Sequence, residues 1–396
     1  MLNVKDFGAV GDGVTDDTAA IQATIDAGTG EVLFPAGGYI FSQIVMRTNV
    51  WLKGEGFATR LLQLAGFDGH MIVQADSSVI HCGIRDMAFN GQKSLQTTPN
   101  DLIHFTDGTV SGDEVHTLQN LLLTNAKGNG IYLGNQVREV RSSNLYILGC
   151  EGVGVYLDLN ASDSSFTNVD VGQSGLENWY VNGFNRFTNC KGFMAGRIDP
   201  TCANWHVLKQ SEFSCCEAQD GLSHGWLFDG CYSAMAFNCN SDSNAGDAFR
   251  FVNANYCRLE GHVFDSGRAD HTAIVNVVSG TGNLVRASYV PGALLTGASP
   301  LQGALAGNNV QVGLPLVGSV TYDPSNLIKG AQTTITVSVP GAVMGDAVAV
   351  SFSLDLQGLQ LTGGVSSPGV VTCVLQNGTG SNVNLGSGTL TAKVVQ

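Results

Sequence analysis

The chain has 396 residues with 19 Lys and Arg against 33 Asp and Glu, a formal net charge of −14, which argues against nucleic acid and anionic membranes as partners. Only 13% of residues are charged and 51 are glycine, the composition of a turn-rich β protein. Its surface is drawn mostly from Asn, Ser, Thr and Gln, which suits neutral, hydroxyl-rich ligands.

The opening Met1–Asp6 has no apolar stretch of a signal peptide, and no later run approaches a membrane span. The expectation is synthesis in a reducing cytoplasm. The segment Val4–Gln22 then tempts a nucleotide-loop reading, but its glycines are ordered G-x-x-G-x-G with no lysine after them. Asp12, Asp16 and Asp17 would also repel phosphate. The spacing instead predicts a Gly-rich turn with Thr15 as N-cap, Asp16 and Asp17 in the first helical turn, and Ile21 and Ile25 on one face of a helix ending near Gly28. Such a helix, within a segment 1–30, would cap the open first coil of a solenoid.

Strand, turn and strand come next over Glu31–Phe41. The order V-K-D-F-G-A-x-G-D-G-x-x-D-D-T-x-A-I-Q, then V-x-F-P-A-G-x-Y, then Trp51-Leu52-Lys53-Gly54-Glu55-Gly56, resembles the opening of the pectate-lyase superfamily, especially the branch of phage tailspikes and capsule depolymerases. The motifs cover residues 3–60, and a looser likeness of pattern runs to about residue 280. The resemblance implies a right-handed parallel β-helix, often trimeric, that binds and cleaves polysaccharide. Nothing in the motif itself is catalytic.

Residues 61–130 read as three irregular coils, with 91–100 and 106–116 as protruding loops on what is often the binding face of a solenoid. From Gly130 the pattern becomes regular. Taking Val155, Trp179, Trp205, Trp226, Phe249 and Ala273 as markers, the intervals are 24, 26, 21, 23 and 24 residues, and Ile131 lies another 24 upstream. The markers sit in short runs rich in aromatic and β-branched residues, so they are strands. The column two residues on is apolar throughout (Leu157, Val181, Val207, Phe228, Phe251, Val275), so both columns point inward. The intervening Tyr156, Tyr180, His206, Leu227, Arg250 and Ile274 point outward. A period too short for a crossover helix makes this a parallel β-helix, over residues 31–285. Phe166, Phe187, Phe213 and Phe237 form a second apolar patch that recurs in each coil, and Cys190, Cys215 and Cys239 recur in step with it as small buried thiols, a reading preferred over a metal site.

A Gly-, Ala- and Leu-rich connector spans 286–318, and alternating strands separated by turn clusters make 319–396 a small antiparallel β-sandwich for trimerisation or sugar binding. The fold class is therefore all-β: a right-handed parallel β-helix with an N-terminal capping helix and a C-terminal sandwich.

The motifs that the resemblance would bring are largely missing. No Asp cluster for Ca²⁺ is visible, no other cofactor is implied, and Ser223-His224-Gly225 and Gly261-His262-Val263 are partial echoes of the G-H-G of polygalacturonases. Glycoside hydrolysis needs two carboxyls, and coils stacked at roughly 4.8 Å supply them from neighbouring turns. Glu217, Asp220, Asp229, Asp242 and Asp247 form the densest acidic set on consecutive coils, with Asp220 and Asp242 near one register. Two residues before the markers stand Glu177, His224, Asp247 and His271, where His224 beside Asp247 suggests an acid–base pair. Asp220, Asp242, Glu217, Asp247 and Glu177 are thus the candidate catalytic residues. For each the competing role is the capping of a turn. Tyr156, Tyr180, His206, His224 and Arg250 are candidates for sugar binding, or for a subunit interface.

The resemblance implies a trimeric tailspike-type depolymerase of bacterial surface polysaccharide (capsule, exopolysaccharide or O-antigen), with which the acidic set is consistent. It would act extracellularly on a virion, anchored by another tail protein, with hydrolysis preferred over lyase chemistry. The rivals are a non-catalytic adhesin or tail fibre on the same scaffold, and a bacterial pectinolytic enzyme.

Overall fold

A computed structural model describes residues 1–106, 115–290, 292–313 and 316–395. The expected loop at 106–116 therefore falls mostly outside the described residues. The chain divides into two compact units, Met1–Val310 and Gln311–Gln396.

The first unit is a parallel β-helix of about twelve turns. Its strands stack into one 18-stranded and one 11-stranded sheet. Val155, Trp179, Trp205, Trp226 and Phe249 are consecutive partners in the 11-stranded sheet. Inside, the Trp179, Trp205 and Trp226 rings stack at 4.6 and 4.8 Å, nearly parallel. Each indole N–H donates to a backbone carbonyl, that of Lys191, Glu217 and Asn240 respectively, so burial leaves no indole donor orphaned. Phe166, Phe187 and Phe213 form a second stack, at 5.2 and 4.8 Å, that meets the tryptophans edge-on. Each such ring pair is worth roughly 0.5–1.5 kcal/mol beyond area burial, enough to favour this register over a slipped one.

The interior columns depart from the sequence reading at three places. Phe237 pairs with Ser214 and is 43% exposed, while Ala236 fills the position opposite Phe213. Cys215 is exposed, and Cys216 joins Cys190 and Cys239 in the buried thiol stack. The first is a register offset of one residue, and the second has a local cause. Asn120, Asn144, Asn168, Asn189 and Cys215 hold positive φ between 51° and 55° at the same corner of successive coils, which reverses the facing of the residues after them. The four asparagines suit this conformation and pass an amide hydrogen bond from coil to coil at 3.0, 3.2 and 2.8 Å. Third, Phe249 pairs with Val275, so Asn276 rather than Ile274 takes the outward position and Ile274 is fully buried. Two extra turn residues displace the marker from Ala273 and remove His271 from the column of Glu177 and Asp247. His271 lies in the core, its ring nitrogens bonded to the Ala293 carbonyl and the Ser241 hydroxyl.

The N-terminal helix runs Thr18–Asp26 and buries Ile21, Thr24 and Ile25. Thr15 lies in the preceding strand Asp12–Asp16 rather than at the N-cap. The Asp17 carboxylate accepts from the N–H groups of Val10 and Gly11 at 2.6 and 3.0 Å, so it closes the Gly-rich turn, and Asp16 takes the Thr18 N–H. Gln22 of the helix accepts from the Val45 N–H and donates to the Val45 carbonyl. Val45 belongs to Ile44–Met46, the edge strand of the 11-stranded sheet, so one side-chain amide satisfies an edge that otherwise invites pairing.

The parallel ladder continues past residue 285: Leu284–Tyr289 pairs with Arg258–Phe264, and Leu301–Gly303 with Val275–Val277. The second unit holds two three-stranded antiparallel sheets. Gly388–Val395 is central in one and Val370–Gln376 in the other. Between them lie Val337, Val371, Cys373, Leu390, Ala392 and Val394.

Candidate active site

The outer face of the 11-stranded sheet carries the residues that alternate with the buried markers. Tyr132, Tyr156, Tyr180 and His206 are partners on consecutive coils, as the repeat requires, and His104 pairs with Tyr132 one coil earlier. Their rings make a continuous strip that extends to His70. Centroid spacings are 3.6 Å from His70 to His104, 4.4 Å to Tyr132, 5.2 Å to Tyr156 and 4.5 Å to Tyr180, all stacked. His206 then turns edge-on at 5.2 Å. A polar-rimmed aromatic strip on a flat sheet is a platform for sugar rings.

The strip ends in a cavity of about 620 Å³, lined by His70, Asp101, His104, Lys127, Tyr132 and Glu151 among others. Asp101 organises it. Its carboxyl side chain is 6% exposed, and Oδ2 lies 2.6 Å from His104 Nδ1. Oδ1 accepts from the Asn129 N–H at 2.6 Å. A carboxylate only accepts, so His104 carries a proton on Nδ1, and in the neutral tautomer that this selects Nε2 is the acceptor. The Asp101 N–H in turn donates to His70 Nδ1 at 3.0 Å, which puts the His70 proton on Nε2. Burial holds the His70 pKa below the usual value, opposed by the Asp101 charge.

His70, Asp101 and His104 bring three ligand atoms within 4.8 Å of one another. The two imidazoles are stacked, with planes only 11° apart. Nitrogen lone pairs lie in the ring plane, so parallel rings aim them side by side rather than at one ion. The arrangement fits proton transfer better than metal binding.

Tyr132 donates its hydroxyl to Asp158 Oδ2 at 2.8 Å, and burial together with that bond raises its pKa. Lys127 Nζ lies 2.7 Å from Glu151 Oε2. The cavity thus brings together an imidazole whose Nε2 is not engaged by Asp101, a phenol that keeps its proton, and a lysine.

The residues named from the sequence divide into separate groups. Glu177 sits beside the strip with Oε1 3.2 Å from His206 Nδ1, and Asp229 lies 3.7 Å from His206 Nε2. Further along, His224 Nδ1 accepts the Asp247 N–H at 2.9 Å. The Asp247 carboxylate is taken by Arg250, Thr272 and Asn276 at 2.7, 2.6 and 2.9 Å. This repeats the layout of His70, Asp101 and His104 further along the same sheet, with Arg250 in the place of His104. Glu217 and Asp242 belong instead to the 18-stranded sheet. Glu217 lies 3.3 Å from Lys191 Nζ, and Asp220 lies 3.0 Å from Arg268 Nη1. The Asp220 N–H donates to the Asp242 carbonyl, and Asp242 Oδ1 accepts from the Ser266 N–H at 2.9 Å. The Asp220 pKa is raised by burial, with the Arg268 charge opposing and the Asp242 charge adding.

His70, Asp101, His104, Lys127 and Tyr132 were not among the residues singled out from the sequence. Two signals were present. Tyr132 and His104 each come directly after an inward marker, Ile131 and Ile103, and Asp101 stands two residues before Ile103, as Glu177 stands before Trp179.

Comparison with known proteins places this cavity in the matched part of the chain. Residues 1–195 match the family of rhamnogalacturonase A/epimerase, pectate lyase-like proteins. Mannuronan C5-epimerase AlgE5 of Azotobacter vinelandii is 35% identical over 129 residues, which are 28% of this chain and 13% of that relative. The matched stretch is thus a small part of the relative's length. The A-module of mannuronan C-5 epimerase AlgE4 from the same organism, 19% identical, covers 79% of this chain and 96% of that one at a TM-score of 0.63. Tailspike gp49 of the Acinetobacter baumannii bacteriophage Fri1, a capsular polysaccharide depolymerase, is 12% identical and covers 100% of this chain and 86% of that one at 0.54. At these structural identities the likeness is one of fold.

Proposed function

The chain carries a pectate-lyase-like, right-handed parallel β-helix, and on that premise we propose that it binds an extended polysaccharide along the aromatic strip and cleaves it in the His104 cavity. The observation that carries the reading is the Asp101–His104 pair at the end of the ring ladder. A base with a free lone pair, an ammonium and a protonated phenol form a set for β-elimination at a uronate residue. His104 Nε2 takes the proton from the carbon next to the carboxylate, and Lys127 offsets the charge that develops on that carboxylate. The electron pair forms a carbon–carbon double bond, the glycosidic oxygen leaves, and Tyr132 returns a proton to it. Epimerisation begins with the same proton removal.

The strip is bordered by Asp158, Glu177 and Asp229. Carboxylates accept from sugar hydroxyls and repel uronates. The substrate in this reading is a heteropolymer, as bacterial surface polysaccharides supply, with neutral sugars over Tyr156 and Tyr180 and a uronate whose carboxylate takes Lys127 from Glu151. In this reading the chain is a tailspike-type virion component acting outside the cell, assembled as a trimer and held by another tail protein.

A second reading, hydrolysis by a carboxyl pair, is favoured by the raised pKa of Asp220 beside Asp242. Incubation with capsule or lipopolysaccharide separates the readings. Elimination raises both reducing ends and ultraviolet absorbance, hydrolysis raises reducing ends alone, and an adhesin raises neither. Light scattering tests the trimer: a well-behaved monomer excludes it.

A further inference from the structure

A second cavity, of about 230 Å³, lies in the turns after three successive strands of the strip-bearing sheet. Asn160 comes after Val155–Leu157, Asn182 after Trp179–Val181, and Lys209 and Gln210 after Trp205–Val207. Arg138 and Phe184 also line the wall. Among the described residues no acid lines the cavity, in a chain whose formal net charge is −14. Among those residues, too, neither Arg138 nor Lys209 joins an ion pair, and Arg138 Nε is buried with no hydrogen-bond partner. An Nε–H in that position has lost its water and is costly unless an acceptor compensates it, while the rest of the half-buried guanidinium carries its charge to the cavity. Arg138 and Lys209 supply the charge for a planar oxyanion. Asn160, Asn182 and Gln210 supply amides of both polarities for hydroxyls, and Phe184 supplies an apolar ring wall.

We propose that this cavity is a binding site for a carboxylate-bearing sugar, separate from the His104 cavity. A uronate fits the set better than an inorganic anion, since two cations account for its carboxylate while the amides and Phe184 account for its ring. The site would hold a second uronate of the polymer, or a released one, without taking part in bond cleavage.

Glucuronate, glucose and inorganic sulfate are titrated into the full chain by calorimetry at low and high salt. Arg138→Gln and Lys209→Gln are measured alongside, with thermal melts to establish folding. Lys209 is exposed, so its variant leaves the fold intact even if Arg138→Gln does not. The expected result is saturable glucuronate binding, weakened by salt and reduced at least about tenfold in both variants, with glucose and sulfate binding far more weakly. Sulfate binding equal to glucuronate would overturn the sugar assignment. Glucuronate binding unchanged in both folded variants, or absent from the parent, would overturn the site. None of these outcomes depends on cleavage at His104.

Discussion

Asp101 Oδ2 and His104 Nδ1 stand 2.6 Å apart, from residues three positions apart in the chain, and this contact sets the Nδ1 proton of the imidazole that lies between His70 and Tyr132 in the strip. Asp101 enters the strand Ile103–Phe105 from the preceding corner, while His104 points outward between two buried residues. The carboxylate is nearly buried and the imidazole partly so, which keeps the bond from being dissipated by water.

Replacing His104 by Gln retains hydrogen bonding and removes the base. Turnover should fall by roughly 10²–10⁴-fold with little change in KM. Asp101→Asn should fall between the parent and that variant, because the ring stays oriented but its basicity drops. Parent-level release of reducing ends by His104→Gln would dismiss the cavity as the reaction centre.

Tyr156→Ala and Tyr180→Ala should act on binding. Each ring offers a stacking surface about 0.5–1.5 kcal/mol deep, so KM or Kd for polymer should rise by roughly 3- to 10-fold per ring with kcat unchanged. If both variants bind polymer like the parent, the strip serves another surface, such as a subunit interface.

Asp220→Asn and Asp242→Asn test the carboxyl-pair reading. With elimination at His104, both variants should keep parental turnover, because Asp220 is engaged by Arg268 and Asp242 by the Ser266 backbone. A loss of about 10²-fold or more, without ultraviolet-absorbing product from the parent, would move the chemistry to this corner.

The buried histidines lower stability in acid. His116, enclosed between the Gln74 amide and the Cys82 thiol, has its pKa lowered from 6.5 to about 4, chiefly by burial and then by His81. Below pH 6.5 the unfolded chain takes up a proton that the folded chain refuses, so stability falls as pH drops towards 4. For His116 alone the loss by pH 5 is about 2 kcal/mol. His70, His224 and His271 are shifted in the same direction by burial and add to it. Denaturant midpoints should therefore decline from pH 7 to pH 5, with a shallower decline in a folded His116→Gln variant. Equal slopes would show that another group governs the acid limb.

Much of the coil interior was legible in the chain because it rests on two local regularities. Alternation along a strand and a repeat of about 24 residues place Trp179, Trp205 and Trp226 on one inward column, and no long-range information is needed to see it. The same regularity gave Tyr156, Tyr180 and His206 a common outer face. Corners obey neither rule. A left-handed residue at one corner turns Cys215 out and Cys216 in, and two added turn residues bury Ile274 and bring Asn276 to the outer face. The cavity depends on such corners. His104 and Tyr132 share a column at an interval of 28 residues, and His70, 34 residues before His104 and outside that column, reaches the same ring stack only once parallel pairing closes each irregular coil onto the last. Composition and period determined that this chain would be a β-helix with an aromatic face. Only the closure of irregular coils decided which titratable groups meet on it, because a loop's length does not fix where its ends are held, and hydrogen bonding between neighbouring coils does.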